Sequence, residues 1–160
     1  MNPFEKKLLP AITLEEVYST LSVAEVLLKS GLDVMEITFR TAATARAIHA
    51  VAKEFPEMNI GAGTILDPDQ ITIAMDAGAQ FGLAPGFNDR VVDEARKKDF
   101  SFIPGVLTSS EIEKALERKI ILLKLFPVGN LGGGGIYPQP ARSVPSYRCF
   151  IYSYGRDRTF

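Results

Sequence analysis

Short apolar runs alternate with stretches of helical period along most of this 160-residue chain, and that alternation restricts its fold more than any other feature. The runs lie at residues 8–14, 34–39, 59–64, 81–85, 101–106 and 121–127, with helices expected at about 20–30, 43–54, 68–77, 89–98 and 109–119. Start signals precede several of the helices: Asp67 before Pro68, Asn88 before Asp89, and Thr108 with Ser109 ahead of Glu111 and Glu113. Successive runs begin about 26, 25, 22, 20 and 20 residues apart, the spacing of βα units joined by right-handed crossovers. A parallel sheet is expected.

Two architectures accept six such units, an open doubly wound sheet and part of a (β/α)8 barrel. The first run leads into Leu14-Glu15-Glu16, which lacks the glycines of a dinucleotide-binding turn. The C-terminal ends of the later runs carry Arg40, Thr64, Pro85 with Gly86, Pro104 with Gly105, and Lys124 with Phe126. In a barrel those ends converge on one site. The expected fold is therefore α/β, a (β/α)8 TIM barrel left incomplete, with about six βα units and no recognisable strands 7 and 8. Residues 1–133 are read as a partial barrel catalytic domain and residues 134–160 as an atypical tail.

Bulk composition removes several function classes. A net charge of -1 argues against general binding to nucleic acid or to a membrane surface. The apolar runs are strand-sized, far below the roughly 20 residues of a bilayer span, and the segment from Met1 to Pro10 shows no signal-peptide core. A single cysteine, Cys149, cannot form an internal disulfide, so the cytoplasm is the expected compartment. The only histidine, His49, falls in a helical stretch and reads as a solvated or boundary residue, leaving no histidine cluster for a metal.

Lys124 needs a reason to be where it is. It interrupts the run Ile120, Ile121, Leu122, Leu123, Lys124, Leu125, Phe126, Pro127, and a buried charge without a partner or a use is costly. Burial disfavours the ammonium form and converts a lysine into an amine nucleophile. The alternative is a side chain that snorkels to water along its own methylenes. Residues 34–40 pose a similar problem, because strand alternation puts Glu36, Thr38 and Arg40 on one face and Met35, Ile37 and Phe39 on the other. On an extended strand Glu36 and Arg40 lie about 13 Å apart, the carboxylate deeper and the guanidinium at the mouth. A buried carboxylate near a buried lysine makes an acid–base pair; an ion pair that only fills a barrel is the other reading.

Five spaced motifs carry a family resemblance: Val34-Met35-Glu36-Ile37-Thr38-Phe39-Arg40-Thr41, Ile60-Gly61-Ala62-Gly63-Thr64-Ile65-Leu66, Ala84-Pro85-Gly86-Phe87, Phe102-Ile103-Pro104-Gly105-Val106 and Leu123-Lys124-Leu125-Phe126-Pro127. In this order, between about Leu8 and Gly133, the chain resembles the 2-keto-3-deoxy-6-phosphogluconate aldolases, a family that includes 4-hydroxy-2-oxoglutarate aldolases. The resemblance implies a class I, metal-free and cofactor-free aldolase that releases pyruvate and an aldehyde from a keto acid substrate. It implies Lys124 as the Schiff-base lysine and Glu36 as the general acid/base. Arg40 would hold the substrate carboxylate with a hydrogen bond from Thr64, and Pro85 and Phe126 would wall the pyruvyl carbons. A homotrimer is implied as well. Two other classes stay open: a catalytically impaired fragment, and a barrel isomerase or binding protein that uses Glu36 and Arg40 without imine chemistry.

The pattern stops after Gly132 and Gly133. Between Ile136 and Phe160 fall four of the five tyrosines, four of the nine arginines and Cys149, with Asp157 the sole acidic residue. No helical or strand period is legible there, as expected of an altered reading frame, a truncated gene product or a divergent tail. Gly132 to Gly135 read as a flexible linker or as amides offered to an anion, and the substrate phosphate grip is the part of the site that this stretch leaves undefined.

Overall fold

The computed structural model describes residues 8–13 and 15–127, together with the backbone of Arg148–Ile151. In chain order the elements are β1 (Ala11–Ile12), α1 (Val17–Lys29), β2 (Val34–Thr38), α2 (Thr44–Glu54), β3 (Asn59–Gly63), α3 (Asp69–Ala77), β4 (Phe81–Leu83), α4 (Asp89–Lys97), β5 (Ser101–Ile103), β6 (Gly105–Val106), α5 (Ser109–Glu117), β7 (Leu122–Leu125) and β8 (Arg148–Ile151). Every expected run holds a strand and every expected helical stretch a helix. One run is split: Pro104, which has no backbone N–H, separates β5 from β6. One strand is additional, because β8 lies where no alternation was legible and is defined by parallel pairing with β7. Gly132 to Gly135 lie outside the described residues.

The chain divides into two compact units, one within Met1–Leu83 and Asp89–Phe102, the other within Ala84–Asn88 and Ile103–Phe160. The first contains a sheet in the order β1-β2-β3-β4-β5, with parallel pairing from β1 through β4. Alternation sends Met35 and Ile37 of β2 and Ile60 and Ala62 of β3 into one apolar core, which they share with Ala24 of α1, Ile48 and Val51 of α2, and Ile71 and Ala74 of α3. Each such valine, isoleucine or methionine side chain contributes about 1.5–3 kcal/mol by leaving water, and each alanine less. Glu36 is in register with Gly61, and Thr38 with Gly63, so these four occupy the opposite face of the sheet. Polar and apolar sets of β2 are segregated as its sequence predicts. His49 is exposed on α2.

The second unit holds the strand order β6-β7-β8 and helix α5. Among its described residues Val106, Ala115 and Leu123 form a buried cluster, with Phe87, Ile112 and Ile120 packed against them. Helix α5 begins in a capping box. The Thr108 hydroxyl accepts from the Glu111 amide at 3.3 Å, and the Glu111 carboxylate accepts from the Leu107 and Thr108 amides, each at 2.8 Å. Those two backbone donors, Leu107 foremost, hold the Glu111 carboxyl below its usual range, against the opposing effect of partial burial. Among the described residues no helix is long and apolar enough to cross a membrane.

Candidate active site

In the first unit the central residue is Glu36, on β2 and only 1% exposed. Its carboxylate occupies the space that a side chain on Gly63 would fill: a Cβ there would collide with Glu36 Oε1. Gly63 is the register partner of Thr38, so the carboxylate leans along the sheet toward the C-terminal strand ends. Thr38 is buried beside it; its hydroxyl lies 2.7 Å from that of Thr13, and its carbonyl accepts from the Thr44 hydroxyl at 2.8 Å, which pins the start of α2 to the end of β2.

Arg40 is exposed, and its backbone corrects the extended-strand spacing expected from sequence. Strand β2 ends at Thr38, and the Arg40 amide turns back to donate to the Thr38 carbonyl at 2.8 Å. Alternation therefore does not run on to residue 40, and the 13 Å separation does not apply to it.

Thr64 follows β3, half-buried, with a φ of 58°. A β-branched residue in the left-handed region carries about 1–3 kcal/mol of strain. The chain on either side is held: the Gly63 carbonyl accepts from Phe39 at 2.7 Å, and the Ile65 amide donates to Leu83 at 3.0 Å. The fold thus imposes on Thr64 a conformation that glycine would adopt freely.

In the second unit Lys124 sits on β7 and is 6% exposed. Its amide donates to Pro104 at 3.0 Å and the Phe126 amide donates to Val106 at 3.2 Å, which fixes the strand against β6. Leu123 enters the buried cluster, so Lys124 faces the other way, with its Nζ 5.5 Å from the centre of the Phe126 ring. Gly105 is the register partner of Lys124, and a Cβ on Gly105 would strike the Pro85 carbonyl. The Gly105 amide also donates to Gly86 at 3.3 Å. Pro85, half-buried, is thereby brought against the strand residue paired with Lys124. Pro85, Lys124 and Phe126 form one group in this unit; Glu36 and the Gly63–Thr64 turn form another in the first.

Gly63 was not singled out by the sequence, and Gly105 was placed at a converging strand end without its part as a spacer being legible. Both lie inside quoted motifs, yet their role appears only when strand register is known, because each supplies room to a residue distant in sequence. Chemically, a buried amine on a strand can add to a carbonyl, and a buried carboxylate can exchange protons with a substrate hydroxyl or water. Among the described residues no group of three or more His, Cys, Asp or Glu is disposed to hold a metal ion.

Successive βα units that present a buried lysine and a buried carboxylate on their sheet faces define a protein of the (β/α)-barrel aldolase type, here an incomplete barrel. The chain belongs to the KDPG and KHG aldolase family, whose profile matches residues 4–138. It is 40% identical over 142 residues to the 2-dehydro-3-deoxy-phosphogluconate aldolase of Treponema pallidum, covering 89% of this chain and 68% of that protein. The 2-keto-3-deoxy-6-phosphogluconate aldolase of Zymomonas mobilis ZM4, solved with 3-phosphoglycerate, superposes with a TM-score of 0.83 at 28% identity, covering 91% of this chain and 69% of that one. The KDPG aldolase of Legionella pneumophila, with pyruvate captured as a covalent carbinolamine intermediate, superposes with a TM-score of 0.77 at 31% identity, over 87% of this chain and 73% of that one. The chain spans between 58% and 68% of the length of its curated relatives.

Proposed function

We propose that this chain is a class I aldolase that cleaves 2-keto-3-deoxy-6-phosphogluconate to pyruvate and glyceraldehyde 3-phosphate, or 4-hydroxy-2-oxoglutarate to pyruvate and glyoxylate. One observation carries the reading: Lys124 is buried on a strand of a chain belonging to this family, turned away from the apolar core that its neighbour Leu123 enters. The covalent carbinolamine of the Legionella relative supports an amine as the reacting group.

The Lys124 amine adds to the C2 carbonyl, and loss of water from the carbinolamine gives an iminium. The C4 hydroxyl then passes its proton to Glu36 as the C3–C4 bond breaks; the electron pair enters the iminium to form an enamine, and the aldehyde leaves. Protonation at C3 and hydrolysis return pyruvate and free Lys124. The iminium is the electron sink, so the scheme calls for no metal or cofactor. Arg40, planar and bidentate, holds the substrate carboxylate with a hydrogen bond from Thr64, while Pro85 and Phe126 flank the pyruvyl carbons. The reading assigns this machinery to residues 1–133, treats 134–160 as an atypical tail of the kind an altered reading frame produces, and assigns a homotrimer to the cytoplasm.

Incubation with pyruvate and sodium borohydride should add the mass of a reduced pyruvyl group to the peptide containing Lys124. A folded protein that gains no adduct would sink the proposal. The partial span of the curated relatives favours a second reading, a fragment with the motif residues but impaired turnover. Adduct formation without measurable cleavage of either substrate would select it.

A further inference from the structure

We infer that β8, drawn from the atypical tail, is a positioning element for Lys124: it closes the second edge of β7 and fixes the backbone from which the amine projects. The functional meaning rests on the imine reading above; the pairing does not.

Within its unit β7 lies between β6 and β8, and four consecutive residues pair in parallel: Leu122 with Arg148, Leu123 with Cys149, Lys124 with Phe150, and Leu125 with Ile151. Backbone groups alternate sides along a strand. Lys124 and Phe126 donate toward β6, to Pro104 and Val106. The amides and carbonyls of Leu123 and Leu125 therefore point to the other edge, where β8 is the strand present. The residues directly before and after Lys124 owe their backbone partners to the tail. By the same alternation, Phe150 turns its N–H and C=O toward β7, and Ile151 turns its own away. Without β8 the strand that carries Lys124 would be an open edge, held on one side by the two residues of β6. An amine on a fraying edge strand loses the fixed geometry that addition to a carbonyl requires.

Two prolines separate this from a passive tail, measured on the full chain by residue-resolved hydrogen exchange and by the rate of borohydride-trapped pyruvate addition. Phe150→Pro removes a donor aimed at β7 and should speed exchange of the Leu123 and Leu125 amides about tenfold or more, as expected for a lost backbone hydrogen bond. The Lys124 amide, bonded to Pro104, should stay protected, and trapping should slow. Ile151→Pro, whose missing N–H is turned away from β7, should leave both readouts near wild type. The inference is overturned if Leu123 and Leu125 exchange freely in the wild-type protein, if the two prolines act alike, or if Phe150→Pro leaves both readouts unchanged. If the exchange pattern holds while no protein forms an adduct, the strand pairing stands and the imine reading fails.

Discussion

The two units solve the same problem, holding an ionisable group out of water, with different resources. In the first, Glu36 stands on a sheet whose opposite face is packed by aliphatic residues from four helices, and its carboxylate lies in a recess set aside by Gly63. In the second, Lys124 stands over a cluster of Val106, Ala115 and Leu123 and depends on backbone pairing along both edges of a four-residue strand. Among the described residues, Glu36 is thus backed by a broad packed face, and the strand of Lys124 is held by backbone hydrogen bonds along both edges, which open more easily than a packed core deforms.

The largest expected effect tests the second unit directly. Lys124→Met keeps the volume and removes the amine, so trapping with pyruvate should fall by about 10³-fold or more with the circular dichroism spectrum unchanged. Substantial residual adduct would point to a different nucleophile. Next, truncation of the first core by Ile48→Ala should cost about 2–5 kcal/mol in urea unfolding, and Leu123→Ala, on a strand of four residues, should fall at the lower end of that range. The reverse order would break the contrast between the units. Gly63→Ala drives a methyl group into the Glu36 carboxylate, with an expected loss of about 1–3 kcal/mol and slower cleavage at unchanged adduct yield.

The smallest effect lies at the start of α5. Thr108→Ala should cost about 1 kcal/mol by removing half of the capping box. The Glu111 carboxyl is held below its usual value of 4.5, so the folded state binds its proton more weakly than the unfolded chain. Its contribution is complete above that value and fades as the pH falls through the folded value. The protection of the α5 amides, taken relative to their intrinsic exchange rate at each pH, should fall in acid below about pH 4.5, and Glu111→Gln should flatten that dependence.

Much of this was legible in the sequence because period and spacing are local properties. Met35, Glu36, Ile37 and Thr38 alternate as read, and Thr108 with Glu111 announced the capping box three residues apart. Strand ends were less legible: Pro104 divided a run read as one strand, and the turn at Arg40 ended β2 two residues early. Both depend on where backbone hydrogen bonds go, which composition does not record. Strand β8 was invisible for a related reason. Arg148-Cys149-Phe150-Ile151 has no period of its own and is defined by the strand it pairs with, just as Gly63 and Gly105 acquire a role only from Glu36 and Pro85.

Thr64 has a consequence for how this chain would evolve in the laboratory. Its positive φ is a conformation that threonine resists and glycine accepts. Thr64→Gly should therefore raise the melting temperature in a thermal scan while weakening retention of the keto acid, measured as a higher KM. Screens for heat tolerance and screens for turnover would drive this codon in opposite directions, and a population recovered from each would differ at residue 64 first.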